Sequence, residues 1–213
     1  MLNDYLADTP PKFETEIEFY AWRKRYLSDK LIPLPPDPTH DQYQENLCKQ
    51  MVSFEMDPLG AVCYLWDWGR GELKGYAPEN WQLEALWEWG RHLQNPATRF
   101  MPFNFAVASG HGIGKSAFVG MIINISLSTF AFTRCRTTAN TENQLLRLTW
   151  PEVEKWLNLS ITSSWFEYQK TSLAAKGKSG ATWRADAITW SITNTSAFAG
   201  LHNHGKRILI IFD

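Results

Sequence analysis

The sequence predicts an α/β fold with a three-layer core, in which helices cover a central parallel sheet. Two observations carry this prediction. Strand-like apolar segments alternate with helical segments from Phe103 onward. The last segment, residues 207–212, is a continuous apolar run rich in β-branched residues, as in a parallel strand covered on both faces. We expect a helical arm with a proline-rich linker over residues 1–40 and one domain over residues 41–213.

The composition excludes several classes of protein. The 213 residues are 44% hydrophobic with a net charge of −1, which excludes a disordered chain and a histone-like nucleic-acid binder. No apolar run approaches the roughly 18 residues of a membrane-spanning helix, and residues 1–11 lack the pattern of a signal peptide. The three cysteines (Cys48, Cys63 and Cys135) lack pair spacing, which favours a reducing, cytoplasmic location without a membrane.

Helical periodicity predicts three helices before the first strand, over residues 13–29, 41–54 and 78–94. Four prolines in residues 31–39 exclude a helix there and predict an extended connector. Residues 57–66 are apolar but of no clear secondary structure.

Strands and helices then alternate. The predicted order is a strand over 103–108, a buried helix over 117–130, a strand over 131–139, a helix over 141–157, short strands around Trp183 and Trp190, and a strand over 207–212. Thr141 and Gln144 have capping-box spacing, and Pro151 should kink or split the helix that they begin.

The segment between the predicted strand 103–108 and the buried helix reads SGHGIGKS. Glycines allow successive backbone N–H groups to point inward, and the next helix offers its positive dipole end, so the segment suits phosphate groups. Lys115 would bind the β and γ phosphates and Ser116 would bind Mg²⁺. The residues predicted to bind a nucleotide here are Ser109, Gly110, His111, Gly112, Ile113, Gly114, Lys115 and Ser116.

The loop departs from the usual G-x-x-x-x-G-K-[ST] pattern because Ser109 replaces its first glycine. A second Gly-Lys-Ser triplet, at residues 177–179, is predicted to be a solvent-exposed loop, since neither a strand before it nor a buried helix after it is expected.

Two further side chains complete the predicted site. Asp213 ends an apolar strand 98 residues after Lys115, where its carboxylate would emerge at the ligand-binding edge of a parallel sheet and hold Mg²⁺. Gln82 carries a donor and an acceptor on one planar group, which matches an adenine edge. An ordinary helix-surface position remains the alternative for Gln82. Lys115 and Asp213 are the predicted catalytic residues, and Ser116 and Asp213 the predicted metal ligands.

Taken in order, these pieces resemble the N-terminal DNA-packaging ATPase domain of the large terminase subunit of tailed bacteriophages. The resemblance spans roughly residues 50–213. It rests on Asp57-Pro58-Leu59, Trp66, Trp68-Gly69, Pro78, Trp81-Gln82, SGHGIGKS, Thr138-Ala139, Gln144, Trp156, Phe198–His202 and LIIFD.

The resemblance implies an ASCE-type P-loop ATPase that uses ATP and Mg²⁺. Within it, Gln82 matches an adenine-contacting glutamine, residues 109–116 a deviant Walker A loop and Asp213 the Walker B aspartate. Thr138 matches a strand end that senses the phosphate end of the nucleotide. The implied partners are double-stranded DNA, a portal protein, a small terminase subunit and further copies in a homo-oligomeric ring, in the cytoplasm of a bacterial host.

Two departures from the family affect the expected activity. The family carries Glu directly after the Walker B aspartate, whereas this sequence stops at Asp213, so we expect a truncated copy with impaired hydrolysis. Many relatives carry an arginine finger where this sequence has Ala199, and Arg207 is one possible substitute.

Two other functions stay open at this point, namely another nucleic-acid-dependent P-loop ATPase of helicase type and a non-catalytic ATP-binding module. The basic groups at residues 23–25 and 176–178 are predicted to be solvent-exposed, and His202 and His204 to lie in a loop rather than to bind a metal.

Overall fold

The computed structural model describes residues 9–108, 110, 112–189 and 202–213. The chain forms two compact units, Met1–Gly110 and His111–Asp213. The boundary between compact units therefore follows Gly110, whereas the sequence suggested a boundary at residue 40. The N-terminal helix is part of the first unit, since Phe19 and Leu27 on it are buried.

The first unit is helical. It contains α1 (Glu16–Ser28), α2 (His40–Ser53), α3 (Pro58–Leu65) and α4 (Asn80–Gln94). The first three of these helices begin at a capping residue: Thr15 caps α1, Thr39 forms a capping box on α2, and Asp57 accepts a 2.7 Å hydrogen bond from the Gly60 N–H of α3. The apolar segment 57–66, unassigned from sequence, is thus a helix with proline in its first turn.

The predicted strand over residues 103–108 is absent. The segment has no regular secondary structure and is largely exposed, with Phe105 at 42% and Val107 at 36%. Apolar composition indicates that a segment can form a strand, but a strand also needs a neighbour for its backbone hydrogen bonds. No strand among the described residues pairs with this segment, so the prediction of a strand leading into the glycine-rich turn is wrong.

The second unit combines a sheet with helices. Its elements are α5 (Lys115–Thr129), β1 (Arg134–Thr138), the single turn α6 (Glu142–Gln144), a π-helical turn (Leu145–Thr149), α7 (Trp150–Asn158), β2 (Phe166–Gln169), β3 (Ser172–Ala175), β4 (Arg184–Ala187) and β5 (Ile208–Phe212). Pro151 splits the predicted helix 141–157 as expected. Trp190 lies outside the described residues.

The five described strands form one mixed sheet in the order β2-β3-β4-β1-β5. Strands β4, β1 and β5 are parallel, whereas β3 is antiparallel to both β2 and β4. The prediction of an α/β fold holds at this level, but the fully parallel sheet is wrong. Only Lys170 and Thr171 separate β2 from β3, and so short a link joins antiparallel strands only.

Helices α5 and α7 pack together and share a core with the sheet. That core contains Val119, Ile123, Leu127, Cys135, Trp150, Val153, Leu157, Phe166, Leu173, Ala175, Ala185 and Ile211. Strand β5 is the last described strand of the sheet, and alternate side chains on it are exposed: Ile208, Ile210 and Phe212 at 42%, 43% and 72%. The expected cover on both faces of β5 is therefore not observed.

Candidate functional site

The described part of the glycine-rich loop has the backbone that its glycines predict. Gly112 and Gly114 have φ angles of +82° and +81°, in the left-handed region that side chains disfavour. A Cβ atom at Gly112 would meet open space, so glycine is needed there for the backbone and not for room. Gly114 is the N-cap of α5. Ser109 and His111 lie outside the described residues, so their predicted contacts stay predictions.

Lys115 and Ser116 are the first two residues of α5, a 15-residue helix, and both are half-buried. They therefore lie at the positive end of a helix dipole, where anions are stabilised. Gly110 belongs to the first compact unit and is exposed, with open space around the position of a Cβ atom.

The opposite end of α5 is bound to the beginnings of the parallel strands. The Trp183 Nε1–H, one residue before β4, donates a 3.0 Å hydrogen bond to the Leu127 carbonyl. The Arg207 guanidinium, one residue before β5, donates to Thr129 Oγ1 at 3.3 Å. The helix thus ends where the strands start, and its length of about 22 Å carries Lys115 towards the edge where they end.

Asp213 lies at that carboxyl edge. Its backbone N–H donates a 2.9 Å hydrogen bond to the carbonyl of Thr138, the last residue of β1. Its carboxylate Oδ2 accepts a hydrogen bond from the Thr149 hydroxyl. Ile211, two residues earlier, shares the buried core with Val119 from the start of α5. Helix α5 thus runs towards the edge at which Asp213 lies, and the meeting of the Lys115, Ser116 and Asp213 side chains in one site stays a prediction.

Thr138 adds a buried polar atom at this edge. Its side chain is 2% exposed, and its hydroxyl has no hydrogen-bond partner among the described residues. An unsatisfied buried hydroxyl costs about 1–3 kcal/mol. Native proteins keep few such groups, and a ligand site is one place where they persist. The predicted phosphate-sensing residue is thus buried next to Asp213, whose backbone N–H donates to its carbonyl.

Gln82 has a structural partner in the first unit. It is 3% exposed on α4, and its Oε1 accepts a 2.9 Å hydrogen bond from the Glu79 N–H in a capping box. The side chain therefore stabilises the start of α4, and its contact with adenine stays a prediction.

The second Gly-Lys-Ser triplet serves as an internal comparison. Residues 177–179 lie in a 3₁₀ turn (Gly177–Ala181) with Lys178 exposed, in agreement with the predicted loop. Contrary to the expectation, strand β3 does precede the triplet, but strand β4 and not a helix follows it. Only the first triplet begins a buried helix.

Neither Arg207 nor Cys135 lies at the carboxyl edge of the sheet. Arg207 lies at the start of β5, and its guanidinium contacts Thr129 and the ring of Phe130, 4.7 Å from the ring centroid. Burial raises the pKa of the Cys135 thiol to about 12, so this side chain of β1 stays protonated and is no nucleophile.

Sequence reasoning missed Thr149 as a neighbour of Asp213. Pro151 was the available signal, since a proline inside a helix predicts a local distortion but not the side chain that the distortion directs. The described residues contain no group of three or more His, Cys, Asp and Glu side chains that could hold a metal. His202 and His204 lie in the loop before β5. A nucleotide-borne Mg²⁺ needs only one or two protein ligands besides the phosphates.

Within the part of the chain described above, no helix combines the length and apolar character needed to cross a bilayer. In comparisons with known proteins, no family model, no curated protein and no solved structure matches the chain.

Proposed function

We propose that this chain binds MgATP and is the ATPase part of a DNA-packaging motor like the large terminase subunit. The observation that supports the proposal is a glycine-rich turn before the buried helix α5, which begins with Lys115 and Ser116 and runs towards the sheet edge where Asp213 lies. That edge is where ligands of open α/β sheets bind.

The donor set at this edge fits Mg²⁺. The Ser116 hydroxyl and the Asp213 carboxylate supply hard oxygen ligands, which Mg²⁺ prefers together with phosphate oxygens. The unpaired hydroxyl of Thr138 offers a further polar contact. When bound, Mg²⁺ would neutralise charge on the β and γ phosphates.

The protein's own groups would act by positioning and charge. The ammonium group of Lys115 and the dipole of α5 would stabilise the negative charge that develops on the phosphate oxygens. Orienting the attacking water needs a further group, which the described residues do not assign. We expect the chain to bind ATP.

The proposed partners follow from the resemblance and go with the same proposal. They are double-stranded DNA, a portal protein, a small terminase subunit and further copies of the chain in a ring, within a bacterial cytoplasm. The helicase-like ATPase and the ATP-binding module without turnover remain the alternatives that experiments must separate.

Equilibrium binding of a fluorescent ATP analogue with Mg²⁺ tests the proposal. We expect Lys115→Ala to weaken binding by about 2–3 kcal/mol, roughly 30- to 150-fold, because it removes a charge-assisted bond to phosphate. Lys178→Ala is the matched control, since it alters the other Gly-Lys-Ser triplet and should leave binding unchanged. Equal affinities for both variants would refute the nucleotide site.

Binding of labelled oligonucleotides separates the alternatives for the proposed motor. A packaging motor should prefer a duplex to a single strand when MgATP is present, measured by fluorescence anisotropy at a fixed salt concentration because the phosphate contribution depends on salt. A preference for single strands would favour the helicase-like alternative. Binding of ATP without either nucleic acid would favour the ATP-binding module.

A further inference from the structure

The π-helical turn Leu145–Thr149 has a local cause. The Trp150 N–H donates to the carbonyl of Leu145, five residues earlier, which defines the wider turn. Pro151, which follows, has no N–H, and its ring would clash with the carbonyl four residues earlier in a regular helix. The extra residue in the turn relieves that conflict. Such π-turns are frequent at functional sites.

The turn directs one buried hydroxyl to the Asp213 carboxylate. The Thr149 side chain is fully buried, and its Oγ1 donates to Asp213 Oδ2 across 64 residues of sequence. The other acceptor in reach, the Gln144 carbonyl, is 3.5 Å away, at the limit of a hydrogen bond. A hydroxyl has a single proton, so the charged carboxylate is the better acceptor.

The residues on either side hold this arrangement in place. Trp150 is fully buried, and its Nε1–H donates a 3.0 Å hydrogen bond to the Gln169 carbonyl at the end of β2. Asp213 is bound twice, since its backbone N–H also donates to the Thr138 carbonyl. Both the main chain and the carboxylate of Asp213 are therefore fixed before any ligand arrives.

We propose that Thr149 is a positioning residue for the metal-binding carboxylate of Asp213. The inference rests on the proposed MgATP site. By holding Oδ2, the Thr149 hydroxyl restricts rotation of the carboxylate and leaves Oδ1 as the oxygen for the metal. Partners that orient a metal ligand in this way are worth about 10- to 100-fold in metal affinity.

Binding of Mn²⁺, a paramagnetic substitute for Mg²⁺, measures the contribution of the Thr149 hydroxyl to metal affinity without relying on ATP hydrolysis. Electron paramagnetic resonance titrations of the 213-residue chain with Mn²⁺ and ATP give the metal affinity of the nucleotide complex. We expect Thr149→Val, which keeps the shape and removes the hydroxyl, to weaken it about 10-fold or more. Thr149→Ser, which restores the hydroxyl, should stay near wild type, and metal-free ATP binding should not change in either variant.

If the Thr149→Val variant does not fold, Thr149→Ala replaces it in the test, because alanine removes the hydroxyl without adding an apolar group. Circular dichroism and urea unfolding establish that each variant is folded. Wild-type Mn²⁺ affinity in the folded valine or alanine variant overturns the inference, and so does an equal loss in the serine variant.

The Asp213→Asn variant distinguishes a failure of the positioning role of Thr149 from a failure of the proposed MgATP site. If it weakens Mn²⁺ binding and removal of the Thr149 hydroxyl does not, only the role of Thr149 fails. If wild type and Asp213→Asn bind Mn²⁺ and ATP alike, or if Lys115→Ala binds ATP as wild type does, the proposed function fails and the role of Thr149 with it.

Discussion

Arg23 shows how much a single residue contributes to the first unit. Its guanidinium donates three hydrogen bonds to backbone carbonyls at and beyond the end of α3: to Cys63 at 2.6 Å, Trp66 at 2.9 Å and Trp68 at 3.2 Å. Burial lowers the pKa of Arg23 from its ordinary value, with nearby Arg70 acting in the same direction. The sequence predicted a solvent-exposed basic group at residues 23–25, which is wrong for Arg23, since its partners lie 40 or more residues away.

We predict that Arg23→Met destabilises the first unit by about 2–4 kcal/mol, because three carbonyls lose a charged donor and their hydrogen bonds are not additive. Lys24→Met is the matched control, since Lys24 is exposed on the same helix. Urea unfolding with amide hydrogen exchange over residues 58–68 measures the effect. Identical unfolding of both variants would contradict the prediction.

Two buried thiols predict a loss of stability at alkaline pH. Burial raises the pKa of Cys63 and Cys135 above the ordinary value of 9.0, that of Cys135 to about 12. Above pH 9 the unfolded chain releases these protons and the folded chain does not, so folding weakens as the pH rises towards 12. The slope is about 1.4 kcal/mol per pH unit for each thiol.

Urea unfolding at pH 8 and pH 10.5 tests this dependence. Cys63→Ala and Cys135→Ala together should flatten this pH dependence, because alanine has no proton to lose. Cys48→Ala should change it less, since Cys48 is exposed, although partial desolvation also raises the pKa of its thiol. An unchanged slope in the double variant would refute a role for the buried thiols.

The helices α5 and α7 meet at a glycine. A Cβ atom on Gly120 would lie 2.7 Å from the Glu152 carbonyl oxygen and 2.8 Å from Cδ1 of Trp156. Asn124, one turn later, donates from Nδ2 to the Gly120 and Val153 carbonyls at 2.8 and 3.3 Å. The close approach of α5 and α7 thus requires glycine at position 120. The buried Asn124 amide adds a hydrogen bond between the two helices.

We predict that Gly120→Ala destabilises the second unit by about 1–3 kcal/mol, since the backbone of α7 must move away. On a solvent-exposed helix face the same change would stabilise the protein by about 1 kcal/mol. The sign of the change in the free energy of unfolding therefore tests the close packing. Gly110→Ala is the control, because its Cβ would meet nothing within 4 Å. Thermal unfolding followed by circular dichroism distinguishes the two, and a stabilised Gly120→Ala variant would disprove the close packing.

Local signals predicted the helices better than the strands. Caps at Thr15, Thr39 and Thr141 lie within four residues of the helix they start, so the sequence contains both partners. The strand expected at residues 103–108 and the covered faces expected of β5 depend on distant neighbours that periodicity does not reveal. The position of Asp213 directly after a parallel strand was predictable from the sequence, but its contact with Thr149 was not, because the two residues lie 64 positions apart.

At the scale of the whole molecule, β5 presents an apolar end of the sheet. Its sequence is that of an inner strand, yet it is the last of the described strands, with Ile208, Ile210 and Phe212 exposed. Exposed apolar edge strands are sites of association between chains.

We predict that the chain self-associates as its concentration rises and that Ile210→Lys reduces this, because a charged side chain discourages pairing at an edge strand. Ile17→Lys, at a 70% exposed isoleucine of α1, is the matched control and should change nothing. Light scattering after size-exclusion chromatography over a range of concentrations gives the mass. Equal masses for wild type and Ile210→Lys at every concentration would contradict self-association through strand β5.

The three bonds made by Arg23 determine how another protein can recognise the N-terminal helix. To detach α1, a binding protein would have to break the three hydrogen bonds of the Arg23 guanidinium to main-chain carbonyls and expose the buried Phe19 to water. A partner that reads α1 must therefore recognise it in place, by its outward residues Ile17, Lys24 and Arg25. Helix α1 would then be recognised as a folded surface of the first unit.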